Sequence, residues 1–100
     1  MFREGLRKRT RSLDLYFRPA THERPRIGWV VPKLGFRIVD RNLLKRRIRE
    51  IGRRKVLRLL AESGCGMDVL VRSRTSAYRA TYAQLELEMS NAVEAACSES

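Results

Sequence analysis

No proline follows Pro32, and the stretch beyond it carries two different helical faces side by side. At about 100° per residue, Arg41, Asn42, Lys45, Arg46, Arg49 and Arg53 share one sector, while Leu44, Ile48 and Ile51 fill the adjacent one. A helix started by Asp40 or a neighbour can therefore bury one side and offer cations on the next. Beyond Gly52 the pattern blurs, because Val56 and Leu60 drift toward the basic sector. Gly64 and Gly66 supply a stop.

The segments around this helix read mostly as short strands. Residues 12–18 alternate, with Leu13, Leu15 and Phe17 on one side and Ser12, Asp14, Tyr16 and Arg18 on the other, which is the period of a half-buried strand. Pro19 and Pro25 bracket a connecting turn that contains His22. Residues 26–31 form a second strand, ended by Pro32, with Trp29 directed to the core. Residues 33–38 are a loop with Gly35. Residues 67–72 contain Val-Leu-Val, a pattern that predicts burial on both faces. A polar turn over residues 73–80 leads to Thr81, which with Gln84 fits a capping box. The stripe Tyr82, Leu85, Met89, Ala92, Val93 and Ala96 continues as a helix able to cover a sheet, and residues 97–100 are expected to fray. A further short strand fits residues 6–9. The order predicts one α+β domain over residues 1–100, a small mixed four-stranded sheet packed with helices.

Charge restricts the chemistry. Lys plus Arg number 22 against 11 Asp plus Glu, and the excess is not spread evenly. Residues 1–60 hold 19 basic and 5 acidic side chains, and residues 61–100 hold 3 and 6. Such segregation points to a polyanion bound by one face, and the dominance of arginine suits phosphate. Arg41, Lys45, Arg46 and Arg49 are the first candidates for contact with a nucleic-acid backbone, with Asn42 adding a directional hydrogen bond. Lys33, Arg11 and Arg74 are further phosphate candidates. Catalytic constellations are missing from the pattern: no paired His and carboxylate, no metal cluster, no nucleophile elbow and no phosphate-cradling Gly loop. The lone His22 completes no zinc pattern, and Cys65 and Cys97 read as unpaired thiols of a reducing cytoplasm. Asp40 is expected to start the helix, and Glu50 to pair with a nearby arginine. No stretch approaches the roughly 18 apolar residues of a membrane span. A DNA-reading helix-turn-helix would need a second helix where residues 25–32 read as a strand. A small ribosomal protein fits size and charge, but not the order of elements around the basic segment.

That segment, residues 39–50, runs Val-Asp-Arg-Asn-Leu-Leu-Lys-Arg-Arg-Ile-Arg-Glu. It resembles the RNR motif of the bacterial ribonuclease P protein family, Arg-Asn-Arg-x-Lys-Arg-x-x-Arg-Glu. Arg41, Asn42, Lys45, Arg46, Arg49 and Glu50 match it, and Leu43 stands where the motif has its second arginine. The preceding strand, Arg-Ile-Gly-Trp-Val-Val at residues 26–31, matches the family's Arg-x-Gly-x-x-Val. Residues 32–34 partly match its Ser-Lys-Lys, residues 68–74 stand for its apolar strand and turn, and residues 82–86 resemble its closing helix. Residues 2–5 resemble the end of the family's first helix, most of which precedes this point in other members.

The resemblance implies a left-handed β-α-β crossover around the basic helix, a rare hand. It implies a protein that binds the catalytic RNA of ribonuclease P and the 5′ leader of precursor tRNA, and so assists the endonucleolytic removal of the leader. The RNA subunit, with Mg²⁺, carries the hydrolysis, and no catalytic or metal-binding residue is assigned to the protein. Tyr16 and Phe2 match aromatics of the family's leader groove. Further implications are a cytoplasmic setting and no need of a membrane or another protein.

Overall fold

In the computed structural model, residues 5–20, 24–33 and 35–99 are described. Phe2 and His22 lie outside the described residues. β1 (Leu6–Arg9) and β2 (Leu13–Pro19) form an antiparallel hairpin in which Arg7 faces Tyr16. β2 pairs antiparallel with β4 (Met67–Ser73), and β3 (Ile27–Val30) pairs parallel with β4's other edge, so the sheet order is β1-β2-β4-β3. The crossover from β3 to β4 carries one unbroken helical run, through α1 (Ile38–Ile51), a π turn (Gly52–Val56) and α2 (Leu57–Ser63). A 3-10 helix (Thr75–Arg79) then leads to α3 (Tyr82–Glu99). The α+β class and the four-stranded sheet are as the sequence predicts.

One sheet face is the core. Leu13, Leu15 and Phe17 of β2 and Met67, Val69 and Val71 of β4 are buried against Leu44, Ile48 and Ile51 of α1 and Leu85, Met89 and Val93 of α3. Trp29, paired with Val71, packs against the same core. The expectation of burial on both faces of the Val-Leu-Val run is corrected, because Leu70 is 42% exposed. β4 is central, yet helices cover only one side of it, so the strand alternates.

The blurred pattern after Gly52 has a physical cause. A π turn holds one residue more than an α turn, which rotates the following face by about 100°. Val56 and Leu60, which drift toward the cations on an ideal helix, are thereby returned to the core and are buried. Gly52 sits where the turn crosses β3, and a Cβ there would stand 2.7 Å from Ile27 Cδ1. Gly64, at φ 64°, ends α2 in the left-handed conformation.

Two further expectations change. The basic helix starts two residues before Asp40, with Arg37 at the N-cap making no side-chain cap bond. Asp40 lies in the first turn, where its charge suits the helix dipole, and accepts a hydrogen bond from Arg37 Nε at 3.2 Å. Cys65 and Cys97 are joined as a disulfide, not apart, because the Gly64–Gly66 turn carries Cys65 to the last turn of α3 with 5.6 Å between the Cα atoms. α3 runs to Glu99, and its last turns carry that link and the Lys8–Glu99 ion pair; Ser100 lies outside the described residues. The Thr81–Gln84 capping box forms in both directions, Gln84 N donating to Thr81 Oγ1 at 3.1 Å and Thr81 N to Gln84 Oε1 at 2.8 Å.

Candidate nucleic-acid interface

The cationic sector of α1 divides into anchored and free side chains. Arg41 is half-buried, and its Nη2 donates to the Val31 carbonyl at 3.4 Å, joining the helix to the end of β3. Its Nε is buried without a hydrogen-bond partner. Beside it the rings of Phe36 and Tyr78 stack with centroids 3.7 Å apart. Burial raises the Tyr78 pKa, against the opposing field of Arg41. Asn42, Arg46 and Arg49 are exposed and Lys45 is half-buried. Arg46, Arg49, Arg53 and Arg54 line a shallow pocket with Glu50, whose carboxylate accepts from Arg54 Nη1 at 3.0 Å, the pairing with a nearby arginine that the sequence predicts. Arg47, which the sequence reading passes over, reaches the Ala80 carbonyl at 3.5 Å and so belongs to the fold. Leu43 is 44% exposed, next to the cations.

The sheet face opposite the core presents a second surface. Strand register lines up Arg7, Tyr16, Leu70 and Gly28 across all four strands. They floor a cleft of about 660 Å³ whose walls include Arg18 and Arg26. The Arg7 guanidinium lies 5.5 Å from the Tyr16 ring centroid and donates to Asp14 at 3.2 Å. Gly28 keeps the floor flat, since a Cβ there would meet Leu70 Cδ1 at 3.3 Å. Asp68 Oδ1 accepts from Arg26 N at 3.0 Å and fixes the strand end. The period of two could have found Arg18, which shares Tyr16's face; Arg7, Arg26 and Leu70 needed the register. Phe2 lies outside the described residues.

The remaining candidates sit elsewhere. Lys33 is exposed in the β3–α1 loop. Arg11 is exposed at the β1–β2 turn, and Arg74 spends Nη1 on the Thr10 carbonyl of that turn at 3.0 Å. The structure thus brings Arg11 and Arg74 to the same turn. Chemically, the helix offers fixed positive charge to phosphate, and the cleft offers an aromatic floor between guanidinium groups to an unstacked base.

Comparisons agree with this architecture. Ribonuclease P protein components of Pseudarthrobacter chlorophenolicus and of an Arthrobacter strain are 37% and 36% identical to the chain over 93 residues. The alignments take in 92% of this chain and 65% of each relative. The ribonuclease P protein of Thermotoga maritima has the same fold, with a TM-score of 0.73 at 25% identity over 92% of this chain and 84% of that one. A sequence profile of the Ribonuclease P family matches residues 1–97, and the chain belongs to that family.

Proposed function

We propose that this chain is the protein component of ribonuclease P, binding the catalytic RNA and the 5′ leader of precursor tRNA and assisting removal of the leader to give the mature 5′ end. The observation that carries the proposal is the pairing of two surfaces on one domain of this family: a helix with exposed arginines, and a separate aromatic-floored cleft. Duplex and folded RNA offer phosphates, which Arg46 and Arg49 meet with Asn42 and Lys45 beside them. A single-stranded leader offers bases that stack, which Tyr16 meets in the cleft with Arg7, Arg18 and Arg26 around it. Arg41 combines a structural anchor with the charge of its guanidinium. In this reading the chain is a subunit of a ribonucleoprotein endoribonuclease, acting by binding and orienting while the RNA carries the chemistry. The reaction's Mg²⁺ belongs with the RNA. The two carboxylates of the cationic helix fit ion pairs better than a metal, since Asp40 and Glu50 are engaged with Arg37 and Arg54.

The setting proposed is the cytoplasm, with RNA as the only partner needed. Among the described residues no helix is long and apolar enough to cross a membrane.

The test is leader cleavage of a precursor tRNA by a ribonuclease P RNA at low Mg²⁺, with and without the chain. Clear stimulation is expected; RNA binding without stimulation would reject the assignment for these residues. For the cleft, Tyr16→Ala should weaken binding of a precursor with a leader of several nucleotides by about 1–3 kcal/mol. Binding of mature tRNA should be unchanged. An equal loss with mature tRNA would take Tyr16 out of leader contact.

A further inference from the structure

Residues 10–12, the turn between β1 and β2, are bonded at almost every polar atom. Thr10 N donates to the Leu13 carbonyl at 2.8 Å, and the Thr10 carbonyl accepts from Arg74 Nη1 at 3.0 Å. The Arg11 carbonyl accepts from Ser76 Oγ at 2.8 Å, and the Ser12 carbonyl from Arg74 N at 2.8 Å. Glu88 of α3, far away in sequence, takes the rest: its Oε1 accepts from Thr10 Oγ1 at 2.5 Å and from Ser12 N at 2.8 Å, and its Oε2 from Ser12 Oγ at 3.0 Å. Closing a hairpin needs far fewer bonds than this. The Arg11 side chain is left outside the network; it is exposed and has no partner among the described residues.

Arg11 opens onto a cleft of about 770 Å³ between this turn, the 3-10 helix and α3. Arg79, likewise exposed and unpaired among the described residues, stands in its wall with Thr75 and Phe36. Two unpaired guanidinium groups beside a hydroxyl and an aromatic ring suit a phosphate with its attached nucleoside. The Glu88 charge is taken up by three donors, so it does not act as a free anion in the cleft. A rigid carrier matters to affinity, because an arginine whose backbone is already fixed loses less entropy on binding.

We infer that this cleft is a contact for an RNA phosphate backbone, separate from the cationic helix and from the open-face cleft, with Arg11 and Arg79 as its ligands and Glu88 as its positioning residue. The inference rests on the RNA-binding reading above. Glu88 touches no RNA; it acts by holding the turn that aims Arg11.

A double-mutant cycle tests this, with affinity measured separately for a ribonuclease P RNA and for a precursor tRNA over a range of salt. R11A should weaken binding to one of these RNAs roughly tenfold and lower the salt slope by about 0.7–0.9. E88A should match that loss, and R11A/E88A should be no weaker than R11A, since a positioning residue has nothing left to position. E88Q should recover most of the affinity: its amide oxygen, in the place of Oε1, still accepts from Ser12 N and the Thr10 hydroxyl, and its amide NH₂, in the place of Oε2, can donate to the Ser12 hydroxyl. S76A removes one bond to the turn without touching α3. If E88A melts below the assay temperature, S76A and R11A/S76A carry the same cycle. The RNA that responds identifies whether subunit or substrate docks here. Additive losses from R11A and E88A would make Glu88 merely structural and overturn the inference. So would wild-type affinity of R11A and R79A for both RNAs; R46A, measured alongside, tells that outcome from failure of the RNA-binding reading itself, in which R46A would also be silent.

Discussion

Replacing Lys45, Arg46 and Arg49 together by alanine should lower affinity for ribonuclease P RNA on the order of a hundredfold near 0.1 M salt, if each cation meets one phosphate. The side chains extend from α1 beside the face that buries Leu44, Ile48 and Ile51. None of the three has a protein partner among the described residues. Their loss should therefore leave the fold in place and remove only binding. The decisive readout is the slope of log affinity against log salt, which should fall by roughly 2–3, because three fewer counterions are released. A loss of affinity with an unchanged slope would mean that the substitutions act through the fold. Arg41 is left out of this triple for a physical reason. Its Nη2 bonds the Val31 carbonyl and its Nε is buried, so R41A would mix lost stability with lost contact.

That division was not legible in the sequence. Helical periodicity put Arg41, Lys45, Arg46 and Arg49 in one sector, and the structure keeps them on one helix. Periodicity measures angle, not depth, so it could not tell an anchored guanidinium from a free one. The same limit hides the π turn: one extra residue re-phases Val56 and Leu60, and only the close approach of Gly52 to Ile27 reveals why it is there. Strand alternation placed Tyr16 opposite Leu13, Leu15 and Phe17 correctly, because a period of two admits no other arrangement. It failed at Leu70, where three apolar residues in a row are also what a strand with one apolar cleft and one core looks like. The open-face cleft needed four strands in register, and Glu88 needed α3 to cross the hairpin turn. Both are long-range facts with no local signal. Arg74 resembled a surface cation in sequence, and the carbonyl it bonds lies 64 residues away.

Phe17→Ala should cost about 3–5 kcal/mol, the largest stability effect expected from one side chain here. Phe17 is 1% exposed, at the centre of β2 between Leu6 of β1 and Val69 of β4. A domain of this size has about 5–15 kcal/mol in all. At about 4–8 °C per kcal/mol, the Tm of the free chain should fall by roughly 12–40 °C. The cleft lies on the other side of the sheet, so the folded fraction of the variant should still bind. RNA held at 100 times its Kd then restores about 2.7 kcal/mol, because only the folded chain binds it. The expected pattern is a free variant that melts early and a variant complex with ribonuclease P RNA that melts much closer to the free wild type. Leu70→Ala is the matching control. It sits one residue beyond Val69 but on the open face, so it should move the Tm little while weakening leader binding. If instead Leu70→Ala unfolds the chain and Phe17→Ala leaves the Tm within a few degrees, the two faces of the sheet are exchanged, and the cleft assigned to the leader is the core.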